Sequence, residues 1–176
     1  QAVRVRSGED PQQFVVALDA LAVYVHRDNP VDKLFIDQLA EIYGEGGSLE
    51  RWSQLGIRNE RCRRDVIVRL GRQNSSGTFA YFREAVLGLH RDYKLGSVDQ
   101  NGSKDVVVLV SRTPCAIGYS GMAFAFSGVK AVPIAANRNS PAVPPNPTTV
   151  RDRSYALARP LSFYTAGDQC PTVEAH

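Results

Sequence analysis

Between residues 66 and 89 the chain sets an apolar strand-like run, a polar loop and an apolar run at helical spacing in direct succession. Val66 to Leu70 reads as a strand, Arg72-Gln73-Asn74-Ser75-Ser76-Gly77-Thr78 as the turn, and Phe79, Phe82, Val86 and Leu89 as the buried face of a helix. Arg83, Glu84 and Arg91 then fall on its wet face. Further strand-like and helix-like segments alternate along the chain, so the unit predicts an α/β layered domain.

The loop carries more than punctuation. Ser76, Gly77 and Thr78 stand at a helix start, where the first backbone N–H groups lack partners and the helix dipole is positive. An anion can satisfy those donors. Two hydroxyls add donors that rotate to suit a tetrahedral oxyanion, Gly77 permits close backbone approach, and Arg72 offers a planar two-pronged donor. The same residue types are also ordinary helix starters, and an arginine at a strand end is commonly a solvated charge. Spacing leaves both readings open.

A chain of 176 residues, 43% of them hydrophobic, can bury a real core as one domain or two small lobes. Its net charge of +3 comes from 21 basic and 18 acidic residues that are mostly interspersed. Neither a nucleic-acid stripe nor a membrane-binding face is expected. The segment with Arg58, Arg61, Arg63, Arg64 and Arg69 is interrupted by Glu60 and Asp65 and holds no interleaved aromatics, so it reads as a solvated edge. No apolar run approaches the roughly 18 to 20 residues that span a bilayer. Gln1 begins the sequence without a starting Met or a leader pattern, which points to processing, truncation or an incomplete sequence.

Cys62, Cys115 and Cys170 show no metal spacing, and their odd number leaves at least one unpaired within the chain; three pairings remain open. His26, His90 and His176 are too scattered for a zinc site, and no cofactor or metal is expected. Gly44 to Gly47 lacks the lysine and hydroxyl of a Walker loop. Gly118-Tyr119-Ser120-Gly121-Met122 fails as a nucleophile elbow because Met122 stands where the pattern needs glycine. No paired carboxylates or histidine-based triad supply another catalytic pattern, so no enzyme is expected.

Elsewhere, Phe14 to Val25 reads as a strand ended by the turn cluster His26 to Pro30, with a lobe boundary there. Leu34, Leu39, Ile42 and Tyr43 suit a short amphipathic helix, and Leu49 to Leu55, with Trp52, a helix or turn. Ala116 to Tyr119, Val129 to Ala135 and Tyr155 to Thr165 read as strands, and Asn137 to Pro147 as a loop. Val106 to Val110 carries conflicting signals: propensity favours a buried strand, whereas Ser103 with Asp105 resembles a helix start.

Several blocks together resemble the PstS-like phosphate-binding proteins, the periplasmic solute receptors of ABC transporters. Leu18 to Val23 with Asp28-Asn29-Pro30 resembles the crossing from the first lobe to the second. Leu39 to Tyr43 with Trp52 to Gly56 resembles the family's helix and tryptophan turn. Arg72 to Thr78 is similar to its anion loop, Thr113 to Tyr119 to a second-lobe signature, and Arg159-Pro160-Leu161 with Tyr164 to the return crossover strand. The order and spacing agree over about residues 14 to 165.

The resemblance implies a periplasmic-binding-protein-like α/β fold with a mixed, mainly parallel sheet flanked by helices, and no chemical step. Its site residues would be Arg72, Ser76, Gly77 and Thr78 on phosphate or a similar oxyanion, with Asn74 and Ser75 behind them. Asn74 takes the place of an acidic residue that usually orients the arginine. The implied partners are ABC permease subunits, and the implied location is periplasmic or otherwise extracytoplasmic. Residues 1–25 would be a remnant of the first lobe with its hinge strand, 26–154 the second lobe, and 155–176 the return strand with a first-lobe remnant.

The family's first-lobe anion loop and closing helices have no counterpart here, so the first lobe is largely missing. A further first-lobe segment or a second chain would be needed to complete the cleft, and the chain alone is expected to bind weakly. Cys115 stands where the family usually has glycine, and an oxidising compartment would permit its pairing with Cys62 or Cys170. A competing reading keeps the same fold as an interaction, sensing or structural module with only incidental anion binding.

Overall fold

The computed structural model describes residues 12–88 and 90–165. Gln1, Leu89, Cys170 and His176 lie outside the described residues. The chain divides into two compact units, one holding 12–19 and 159–165 among its described residues and the other 20–158.

In the first unit, the start of strand β1 (Gln12–His26) pairs with strand β8 (Ala158–Thr165). Asp19 receives both Nε and Nη2 of Arg159, at 3.2 and 2.9 Å, and Gln13 donates to the Ser162 hydroxyl.

The larger unit is built on the second half of β1 together with β3 (Val68–Arg72), β4 (Val98–Gln100), β5 (Ala116–Gly121) and β6 (Val129–Val132), in the order β4-β3-β5-β1-β6. The sheet is mixed. β3 runs parallel to both β4 and β5, whereas β1 is antiparallel to β5 and β6, with Val23 opposite Tyr119 on one side and Val132 on the other. Residues 20–25 of β1 are fully buried, as a central strand covered on both faces requires.

One face is covered by the helix α3, which the structure places at Ser103–Arg112. Strand propensity in Val106 to Val110 loses here. Val106, Val107 and Val110 share one helical face and pack with Ala22, Tyr24, Leu70 and Ala116, while Asp105 in the first turn and Arg112 in the last suit the helix dipole. Gly118 makes the close approach possible, because a Cβ there would lie 2.9 Å from Val110 Cγ2 and 3.0 Å from Val106 Cγ1. Three valines on one face are thus helical because a flat glycine strand receives them.

The other face carries α1 (Ile36–Tyr43) and α2 (Gly77–Phe82). α1 is preceded by the two-residue strand β2 (Leu34–Phe35), and the Gln38 side chain accepts the Phe35 N–H that the helix leaves unpaired. α2 is shorter than its apolar spacing predicts, passing into a π-turn over Arg83–Leu87 before Gly88 turns at φ +75°. Phe82, Val86 and Leu87 remain buried through that change. Arg83 and Arg91 are not simply wet: Arg83 pairs with Asp92 and Arg91 with Glu41.

The strand expected over Val129 to Ala135 is two strands in different sheets. Pro133 has no N–H to give a ladder, so β6 stops at Val132 and β7 (Ile134–Ala135) pairs parallel with β2 instead. α4 (Pro147–Arg151) follows, capped by the Asn146 side chain on the Thr149 N–H. The return strand begins at Ala158 rather than Tyr155, which is buried ahead of it. Trp52 opens a short 3-10 turn, Trp52–Leu55, fully buried with its indole N–H on the Cys115 carbonyl. Cys62 and Cys115 form a disulfide. Arg58, Arg61, Arg63 and Arg64 are exposed around that loop, with Arg61 paired to Asp28.

No helix among the described residues is long and apolar enough to cross a membrane.

Candidate functional site

The site loop begins where β3 ends. Arg72 is the last residue of the strand, Gln73 accepts from the Ser76 N–H, and Ser76 in an extended conformation hands over to α2. The Ser76 hydroxyl accepts the Thr78 N–H at 3.1 Å, the arrangement of a serine N-cap. Ser76, Gly77 and Thr78 are therefore gathered on the first turn as the sequence predicts. Gly77 is exposed with open space where a Cβ would stand, Ser76 is half-buried, and Thr78 is almost covered. Asn74 and Ser75 project into solvent on the turn.

Arg72 reaches sideways along the strand ends. Its Nη1 donates to the Ser103 hydroxyl at 2.5 Å and its Nη2 to the Asn101 carbonyl at 2.9 Å. Both partners belong to the turn that starts α3, next to β4 in register with β3. The Arg72 Nε is buried without a hydrogen-bond partner. The contacts that hold the guanidinium thus come from Ser103 and Asn101, whereas the Asn74 side chain, which the resemblance sets in the place of the orienting acid, makes no hydrogen bond among the described residues. Ser103 was legible as a helix start, but nothing in the sequence showed that β4 would bring it beside Arg72.

Behind the loop, aromatic rings fill the α1/α2 face. Phe82 stacks on Tyr119 at 3.8 Å, Tyr43 meets both edge-on, and Tyr43 donates to the carbonyls of Leu70 and Ile117. Burial pushes the Tyr119 hydroxyl up to about 12 and that of Tyr43 well above the ordinary phenol value. Through Tyr43 these rings are tied to β3 and β5 under the loop. Among the described residues no group of three or more His, Cys, Asp or Glu side chains gathers in a form that could hold a metal ion.

Comparison with known proteins places the chain in a family. Residues 1–175 match a family described as the PBP superfamily domain. The chain is 33% identical over 170 residues to the phosphate-binding protein PstS of Pseudomonas aeruginosa, covering 93% of this chain and 52% of the relative. It is 32% identical over 158 residues to PstS of Staphylococcus haemolyticus, covering 87% and 47%. Among solved structures it superimposes on an ABC-type phosphate transport receptor from Vibrio cholerae with a TM-score of 0.76 at 25% identity, covering 96% of this chain and 66% of that one. A possible phosphate binding protein from Planctomyces limnophilus gives 0.75 at 28%, covering 93% and 58%. The chain spans about half the length of the curated relatives it matches. A match over nearly the whole chain, together with the mixed sheet flanked by helices, makes it a member of the PBP superfamily domain family, in its PstS-like branch.

Proposed function

We propose that this chain carries one jaw of a phosphate receptor serving an ABC-type uptake system. The supporting observation is the passage from β3 through the 73–76 turn into α2, with Arg72 at one end and the capped turn Ser76-Gly77-Thr78 at the other. In this reading Arg72, Ser76, Gly77 and Thr78 contact the anion, while Asn74 and Ser75 shape the turn. Ser103 and Asn101 fix the guanidinium plane, the task of the family's acidic residue at the place Asn74 holds here. Thr78, the most covered of the set, supplies the driest contact, and a drier contact is a stronger one.

Residues 26–154 form the second lobe in this scheme, with 1–25 and 155–176 as crossing strands and parts of the first. The second jaw comes from a first-lobe segment or another chain. Closure strips water from the ion, so the chain alone binds weakly and the completed cleft binds tightly. The protein works outside the cytoplasm, hands its ligand to permease subunits, and performs no covalent step.

Isothermal titration of inorganic phosphate into the chain joined to the remaining family length tests the assignment. Arg72→Ala should weaken binding about a hundredfold, since truncating one partner of a dehydrated charge pair commonly costs 2 to 5 kcal/mol. An unchanged dissociation constant would remove Arg72 from the site.

A second reading has one observation in its favour: the Ser76 hydroxyl already caps Thr78, and both Arg72 Nη atoms already have acceptors. The loop would then be a helix start in an interaction or sensing module. Absence of phosphate heat from the complete cleft would favour it.

A further inference from the structure

The carboxyl ends of the parallel strands β3 and β4 lie side by side, with Arg72 in register with Gln100. Open α/β sheets bind their ligands at such ends. Two segments leave from there: the anion loop after β3, and after β4 the turn 101–103 that leads into α3. They are tied to each other. The Gln73 N–H donates to the Gln100 carbonyl at 3.3 Å, and Arg72 donates to the Asn101 carbonyl and to the Ser103 hydroxyl. The turn is therefore a second wall beside Arg72, and Ser103 puts a hydroxyl on it.

The neighbour of that hydroxyl decides what it can offer. A guanidinium has donors only, so in the 2.5 Å contact Ser103 Oγ is the acceptor and its own proton is left to be given elsewhere. Ser103 Oγ makes no other hydrogen bond among the described residues. Accepting from a cation polarises the O–H bond and makes it a stronger donor. The residue is also held from behind, because the hydroxyl of the fully buried Ser120 donates to the Ser103 carbonyl at 3.0 Å. Ser103 itself is only half-buried, and the charges that follow it, Lys104 and Asp105, are exposed and opposite in sign. What the turn presents beside Arg72 is thus a fixed, polarised proton without an acceptor.

Given that the anion loop holds phosphate, as proposed, we infer that Ser103 is a further ligand residue of that site: it donates its hydroxyl proton to an unprotonated oxygen of the ion bound by Arg72. A residue that only held the guanidinium would act through Arg72 and lose its effect when Arg72 is removed. A donor to the ion keeps its effect.

Isothermal titration of inorganic phosphate into the chain joined to the remaining family length, with Arg72 present and with Arg72→Ala, separates the two roles. Ser103→Ala should weaken binding about tenfold when Arg72 is present and still about threefold in the Arg72→Ala background. Ser103→Thr should bind about tenfold more tightly than Ser103→Val, which has the same shape without the hydroxyl. Thermal unfolding checks that each variant is folded. If Ser103→Ala does not fold, the ratio between the Thr and Val variants in the two backgrounds decides instead. Phosphate binding that does not depend on the hydroxyl, or a loss confined to the background that keeps Arg72, would overturn the assignment of Ser103 and leave Arg72 in the site. No phosphate binding by the native complete cleft would overturn it together with the receptor reading.

Discussion

Two buried tyrosines show how much a single hydroxyl depends on its surroundings. Tyr43 is fully covered and donates to two carbonyls, Leu70 at the end of β3 and Ile117 in β5, so its oxygen ties together the strands beneath the site. Tyr155, 2% exposed, has a buried hydroxyl with no hydrogen-bond partner. Removing a buried donor strands its acceptors, whereas removing an orphan relieves a desolvation cost. Tyr43→Phe should therefore destabilise the chain by about 1 to 2 kcal/mol, and Tyr155→Phe should be neutral or stabilise it by up to about 1 kcal/mol. Urea unfolding midpoints check both. Loss of stability in the Tyr155 variant would mean that its hydroxyl has a partner after all. Neither tyrosine could be ranked from sequence, since both are aromatic residues in apolar surroundings and only the fold decides which oxygen meets a carbonyl.

At the scale of elements, the disulfide is the strongest local constraint. It closes a 53-residue span from the loop after Trp52 to the start of β5. The Trp52 indole donates to the carbonyl of Cys115 itself, so the cross-link and the indole hold the same strand end. Chain entropy for a loop of this length corresponds to about 4 kcal/mol. The double variant Cys62→Ala with Cys115→Ala should accordingly unfold at a markedly lower denaturant concentration. Thiol titration of the unfolded, unreduced native chain should find one free thiol, that of Cys170; three would deny the pairing. The sequence left the partner of Cys115 open because Cys62 lies far along the chain, and only the pairing of β3 with β5 brings them together. The strand–turn–helix unit around Arg72 was readable, since its periodicities change within a few residues. Helix α3 was not decided, because three buried valines satisfy strand propensity and a helical face equally until Gly118 is placed opposite them. The interruption at Pro133 was available to a closer reading, as proline cannot donate within a ladder.

Over the whole molecule, the order of motifs identified the fold from sequence, its mixed sheet included, while the strand order and the aromatic cluster emerged only with the tertiary structure. The rings of that cluster, Tyr43, Phe79, Phe82, Tyr93 and Tyr119, come from α1, α2, the loop before β4, and β5, and nothing in the sequence marks them as neighbours. A consequence of this packing is sensitivity to alkali. Burial raises the hydroxyls of Tyr24, Tyr43, Tyr93, Tyr119 and Tyr155 above the ordinary phenol value, that of Tyr119 to about 12. In the unfolded chain these groups lose their protons near pH 10, an ordinary phenol value. Between about pH 10 and about pH 12 the folded chain therefore holds more protons than the unfolded one, and stability falls as pH rises through that window. Below it the contribution is fully present. Phenolate absorbance from these five tyrosines should appear in one cooperative step that coincides with loss of the near-ultraviolet circular dichroism of their packed rings. Gradual ionisation of these residues while that dichroism persists would show that water reaches the aromatic core in the folded state.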